Sequence, residues 1–265
     1  MEGVTGVVSM CQVTPDHSEY PAANEWFMVE LLALIQGLFE GDASEVSVYD
    51  EHWFGRNVDL SRIPAGVNVF CGKPPYRADW AGGLDSTHSG LILHGFHSMA
   101  GSGQTLCHTY EHDIQSITLN GITVGEIGLE AAIAGDWGVP LLLVVADSAG
   151  AEEARKIVPD VATVATKISQ AVDGAECFPL LDNLEAIRNA ARQVAASPPA
   201  TTPLNLGDPI VMECAFRSGS YVEALRSRES RYFTEKNTIR LTGASTTAVW
   251  SEYWQMKLSA LAAQP

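Results

Sequence analysis

Residues 120–147 read NGITVGEIGLEAAIAGDWGVPLLLVVAD. Asn120-Gly121 is a tight-turn pair that closes the alternating run Ile114 to Leu119. Val124 to Trp137 has the spacing of a helix rich in small residues. Leu141 to Val145 is apolar at every position, as expected of a parallel strand covered on both faces. Asp147-Ser148 then offers an N-cap for a helix through Lys156, with Glu152 and Lys156 one turn apart. This alternation of helix and buried strand predicts an α/β fold, a layered sheet flanked by helices.

Working outward, short apolar runs at Glu45 to Tyr49, Val67 to Cys71 and Gly90 to His94 read as further strands. Trp26 to Phe39 is apolar but broken by Glu30, Gln36 and Gly37. It is shorter than the roughly 20 residues that span a bilayer, so a buried helix is expected. Downstream, residues 195–208 (AASPPATTPLNLGD) carry three prolines that deny regular structure. They divide a larger domain, 1–195, from a smaller carboxyl-terminal α/β subdomain, 208–265. The latter holds strands at Ile210 to Cys214 and near Thr238 to Leu241, then a helix from Ser245. That helix sets Val249, Tyr253, Met256 and Ala260 on one stripe, with Trp250, Trp254, Leu258 and Leu261 beside it. So wide an apolar face needs cover from the core or from another subunit.

Hydrophobic residues make up 46% of the chain and charged residues 18%, enough apolar material for a sizeable core. The net charge of −16 and the lack of any Lys/Arg run argue against nucleic acid as a partner. Met1-Glu2-Gly3 does not open a signal peptide. Five scattered cysteines without a CxxC pair read as reduced thiols in a cytoplasmic protein. Walker, GxSxG and GxGxxG patterns are missing, which weighs against nucleotide and serine-hydrolase chemistry.

The histidines are better placed than they are numerous. His94 and His97 flank the end of the strand LILHGFH. Three positions apart on a strand, they point to opposite faces, and the turn-forming Gly95 favours His97 for a site. A hydrogen-bonded structural role is the commoner fate of either alone. His52 follows the strand VSVYD, at a carboxyl end where α/β sheets place their sites. Glu126 opens a predicted helix, where a carboxylate is either a dipole-favoured surface charge or a ligand. His108 to His112 matches H-x-x-E-H literally. That motif works only on a helix, and the following DIQSITLNG alternates like a strand.

Taken together, HGFHSMAG (94–101), LCHTY (106–110) and the 120–147 segment resemble the core of the DppA-type zinc D-aminopeptidase family. The opening Met1-Glu2-Gly3-Val4-Thr5-Gly6 is similar to that family's D-x-E-G-x-x-G start. YDEH (49–52), GGLD (82–85) and the tail LTGASTTAVWSEYWQM (241–256) resemble its other landmarks, so the likeness runs over nearly the whole chain.

The resemblance implies two zinc ions held by an Asp, two Glu and two His. Glu2, His52, His97 and Glu126 match four of these ligands, and His108 matches the catalytic histidine. The family's Asp stands two positions before Glu2, so the resemblance implies an amino terminus cut one residue short of a ligand. Such a chain is expected to bind zinc weakly. Glu130 stands where the family tends to carry Asn. Glu130 and Asp147 are candidates for holding the free α-amine of a substrate. The expected activity is zinc-dependent release of an amino-terminal D-residue from short peptides, by a homo-oligomer whose expected form is a ring, with no nucleic-acid or membrane partner. The alternatives are an amide hydrolase with another substrate and a non-catalytic oligomeric protein.

Overall fold

A computed structural model describes residues 1–73 and 77–262. The chain opens with α1 (Met10–Val13) and α2 (Tyr20–Glu40), then β1 (Val46–Tyr49) and β2 (Val67–Phe70), a parallel pair. Next come β3 (Leu91–Phe96), β4 (Ile114–Leu119), β5 (Ile122–Val124), α3 (Glu126–Asp136), β6 (Leu141–Ala146), α4 (Ser148–Ile157) and β7 (Ala162–Ala165). The hairpin β8 (Lys167–Ala171) and β9 (Gly174–Cys177) precedes α5 (Leu180–Ala196). The chain closes with β10 (Ile210–Phe216), α6 (Ser220–Arg228), β11 (Phe233–Glu235), β12 (Thr238–Gly243) and α7 (Thr246–Ala262).

The apolar run of β6 is buried at every position, at the centre of the parallel sheet β3-β6-β7. Alternation sends Leu143 and Val145 into one core with α2 and α5. Val144 and Ala146 go to another with α3 and α4. Helices thus cover both faces, which is why the strand can be apolar throughout. No helix of the described residues is long and apolar enough to cross a membrane.

A second sheet, in the order β11-β12-β10-β4-β5, is antiparallel and packs against α3, α6 and α7. Asn120 and Gly121 both adopt positive φ (48° and 81°), as a type I′ turn between β4 and β5 requires. Because β10 pairs with β4, this sheet takes strands from both sides of the 195–208 segment. That segment is irregular, but it is pinned. The Asn120 side-chain amide donates to Leu206 O (2.8 Å) and Pro209 O (3.1 Å), and its Oδ1 accepts from Val211 N (2.7 Å).

The apolar face of α7 is covered within the chain. Val249, Trp250, Tyr253 and Met256 lie buried in the core of the second sheet. Leu258 is half exposed, and the side chains of Ala260 and Leu261 lie outside the described residues. The breadth of that face therefore reflects the sheet beneath it and carries no demand for a second subunit.

Candidate metal centre

The centre is organised by a bulge at the end of β3. Gly95 has φ +76°, and the register against β6 shifts between His94 and Phe96. Before the bulge, His94 turns toward α2, where it stacks on Phe27 and lies 3.0 Å from Glu30 Oε2. Beyond it, His97 is carried past the strand end and is buried. The bulge also receives the opening segment. Gly3 N donates to Gly95 O at 2.9 Å, and a Cβ on Gly3 would lie 1.7 Å from the Phe96 carbonyl oxygen. Only glycine allows that approach, and it sets Glu2 beside His97.

Glu2, His52, His97, His108 and Glu126 converge. Glu2 Oε1 lies 3.2 Å from His52 Nε2, and Oε2 accepts from the Met1 amino group at 2.7 Å. Glu126 Oε1 lies 3.6 Å from His97 Nε2 and 3.8 Å from His108 Nε2. The His97 and His108 rings stack with centroids 4.2 Å apart, and His112 continues the stack at 4.9 Å. Glu2, His97 and His108 each place a potential ligand atom within 4.8 Å of the others. The segment 108–112 is not helical, and Tyr110 has φ +55°, so the H-x-x-E-H pattern is coincidental.

The three imidazoles share one arrangement. His97 Nδ1 meets Ser98 O at 3.0 Å, His108 Nδ1 meets Leu106 O at 2.8 Å, and His52 Nδ1 faces Asn57 Oδ1 at 3.5 Å. Each Nδ1 thus faces an oxygen, the arrangement in which a metal-binding imidazole keeps its proton on Nδ1 and presents Nε2 to the ion. The acceptor for His52 is itself fixed. Asn57 donates its side-chain amide to Asp50 Oδ1 (2.7 Å) and His52 O (2.7 Å), and accepts from the Tyr20 hydroxyl (2.7 Å).

Glu126 sits at the start of α3, where the helix dipole favours a carboxylate, and accepts from Tyr110 N at 2.7 Å. Its carboxylate thus faces His97 and His108. Burial alone would raise the Glu2 carboxyl, but the Met1 ammonium and His52 outweigh it and hold the group well below the usual range. Burial also holds His97 below the ordinary imidazole range, hence neutral. His97 Nε2 is buried without a hydrogen-bond partner among the described residues. A neutral His97 with an orphaned inward nitrogen and an ionised Glu2, joined by two further imidazoles and the Glu126 carboxyl, are a donor set that fits zinc.

Glu130 lies one turn after Glu126 and accepts from the Tyr110 hydroxyl. Burial, then the nearby Glu51 charge, pushes its carboxyl up to about 8. Asp147 is fully enclosed and caps α4, its Oδ1 accepting from Gly150 N at 2.7 Å. Two further residues gave no sign in the sequence. Glu153 of α4 accepts from Met99 N at 2.7 Å and packs against Gly125, bracing the His97 loop against the start of α3. Lys167 is fully buried, and its ammonium donates to the carbonyls of Glu2 (2.5 Å), Val4 (2.9 Å) and Val7 (2.6 Å).

A family model for D-aminopeptidases, Peptidase_M55, matches residues 1–253. This chain belongs to that family. It is 28% identical over 180 residues to a D-aminopeptidase of Bacillus subtilis (strain 168), a match spanning 67% of this chain and 65% of the relative. Its fold is that of the Zn-dependent D-aminopeptidase DppA from Bacillus subtilis, described as a self-compartmentalizing protease. The TM-score is 0.90 at 22% identity, over 98% of this chain and 95% of that one.

The raised Glu130 carboxyl has a consequence for stability. Between pH 4.5 and about 8 the folded state keeps a proton that the unfolded chain has released. The stabilising contribution is complete below 4.5 and is lost as pH rises through about 8. Thermal melts of the metal-free chain and its Glu130→Gln variant, at about pH 5 and about pH 8.5, should show the parent losing ground to the variant at the higher pH. A constant difference between the two would refute the assignment.

Proposed function

We propose that this chain is a zinc-dependent aminopeptidase that releases amino-terminal D-residues from short peptides. The observation that carries the reading is the convergence of three inward Nε2 atoms with the Glu2 and Glu126 carboxylates. Family membership and the names of the relatives support it. Glu2, His52, His97 and Glu126 would hold zinc, two ions in the complete family site. Zinc, when bound, supplies Lewis acidity at the scissile carbonyl and lowers the pKa of water.

The chain's own residues divide the remaining work. His108, fixed through Nδ1 on Leu106 O, presents Nε2 for proton transfer or for stabilising the developing oxyanion. Glu130, beside Glu126 and held by Tyr110, is placed to accept a hydrogen bond from the substrate's free amine. Asp147, enclosed and committed to its helix cap, offers no such surface. The test is hydrolysis of D-alanine p-nitroanilide with added zinc, beside its L-isomer and its N-acetyl derivative. Preference for the free-amine D-substrate is expected. Turnover of the acetylated compound alone would favour the amide-hydrolase reading, and no turnover of any would favour a non-catalytic protein.

We place the chain in the cytoplasm, a compartment consistent with its five free cysteines. We also propose a homo-oligomer. Trp53 and Phe54, next to His52, are 44% and 62% exposed, a costly apolar lip for an isolated chain. Sedimentation is expected to report a species well above 28.4 kDa, and Phe54→Ser should shift it toward monomer. A stable monomer at micromolar concentration would refute this.

A further inference from the structure

We propose a second, separate zinc site on the turn between α1 and α2, formed by Cys11, His17 and Glu19. A ligand atom from each lies within 4.8 Å of the other two. His17 Nδ1 is 4.0 Å from Glu19 Oε1. Tetrahedral zinc, with ligands at about 2.0–2.3 Å, spaces its donors roughly 3.5 Å apart. Side-chain rotation of the half-exposed His17 and exposed Glu19 covers the difference without moving the backbone.

The turn is already shaped for the task. Ser9 and Gln12 form a capping box at the start of α1. Thr14 Oγ1 donates to Met10 O (2.8 Å), His17 N to Thr14 O (3.0 Å) and Tyr20 N to His17 O (3.1 Å). These bonds hold residues 11–19 in one compact loop. Among the described residues, His17 Nδ1 accepts one long hydrogen bond, from the Glu19 amide at 3.4 Å, and lies 4.0 Å from the Glu19 carboxylate, contacts weak enough for a metal ion to displace. A thiolate, an imidazole and a carboxylate together suit zinc and reject magnesium and calcium. Three protein ligands leave the fourth position to water.

Such an ion would clip α1 to the head of α2. α1 in turn grips the opening segment, since Gln12 donates to Gly6 O (3.1 Å) and accepts from Val8 N (2.8 Å) and Ser9 N (3.0 Å). The clip would thus steady the segment that carries Glu2. It shares no residue with the centre described above, and it stands whether or not that centre is catalytic.

The donor sets separate the two sites spectroscopically. The centre around Glu2 offers only nitrogen and oxygen, whereas this one offers a thiolate. Titration of the metal-free, reduced chain with cobalt(II) is expected to give a thiolate-to-cobalt charge-transfer band in the near ultraviolet. The band should disappear in Cys11→Ser and in His17→Ala and persist in Cys107→Ser. Zinc content should fall by about one equivalent in the same two variants, with hydrolysis largely retained. Absence of the band, or its survival in Cys11→Ser, overturns the proposal.

Discussion

Replacing His97 with alanine is expected to weaken zinc binding by more than about 100-fold and to remove hydrolysis, exceeding the 10–100-fold cost of losing an outer partner. Its Nε2 is enclosed and has no hydrogen-bond partner among the described residues, so nothing else takes over its place. His94→Ala, three residues earlier on the same strand, is the sharpest control. That change strips the fully buried Glu30 of its imidazole partner, leaving only Thr5 on the carboxylate. A loss of about 1–3 kcal/mol is expected, since a buried acceptor is left short of a hydrogen-bond partner. Zinc affinity by chelator competition and thermal melting of the metal-free chains separate the two effects. If His94→Ala lost zinc and His97→Ala lost only stability, the assignment of the two faces would be wrong.

Lys167→Met should produce both effects together. Methionine fills much of the same space but donates nothing, and three buried carbonyls lose their partner. Each unsatisfied acceptor costs about 1–3 kcal/mol. Part is returned, because burial of the ammonium is itself unfavourable and pushes its pKa down to about 8. A net loss of a few kcal/mol is expected, with zinc affinity reduced about 10–100-fold as Glu2 loses its fixed position. A lower melting temperature with unchanged zinc affinity would show that Lys167 packs the fold without positioning the ligand.

The sequence was most informative where the deciding interactions are local. The apolar run of β6 and the Asn120-Gly121 turn are settled by side-chain periodicity and backbone sterics, and both are found as expected. His97 was favoured over His94 because a glycine lies between them, and that glycine is the bulge. Glu126 alone is indistinguishable from a helix-start charge. Its role emerges only from Tyr110 N, His97 and His108, which the fold brings to it. Glu153 and Lys167 were invisible, because their partners lie on distant segments and no spacing rule connects them. The proline-rich stretch 195–208 signalled irregular backbone correctly, but composition says nothing about strand pairing, and β10 crosses that boundary to join β4.

The three carbonyls clasped by Lys167 also bear on the order of events during synthesis. Glu2 leaves the ribosome well before the side chain that fixes it, which lies 165 residues downstream. Asn183, which donates to the Thr5 hydroxyl, follows later still. Contacts of such long separation form slowly, after the local elements are in place. The opening segment must therefore wait, unanchored, until β8 and α5 have emerged and docked. A nascent chain stalled before Lys167 can hold the imidazoles of His52, His97 and His108 but has no fixed place for Glu2. The centre is thereby completed only on chains translated past Lys167 and Asn183, and a shorter nascent chain carries the histidines without a fixed Glu2.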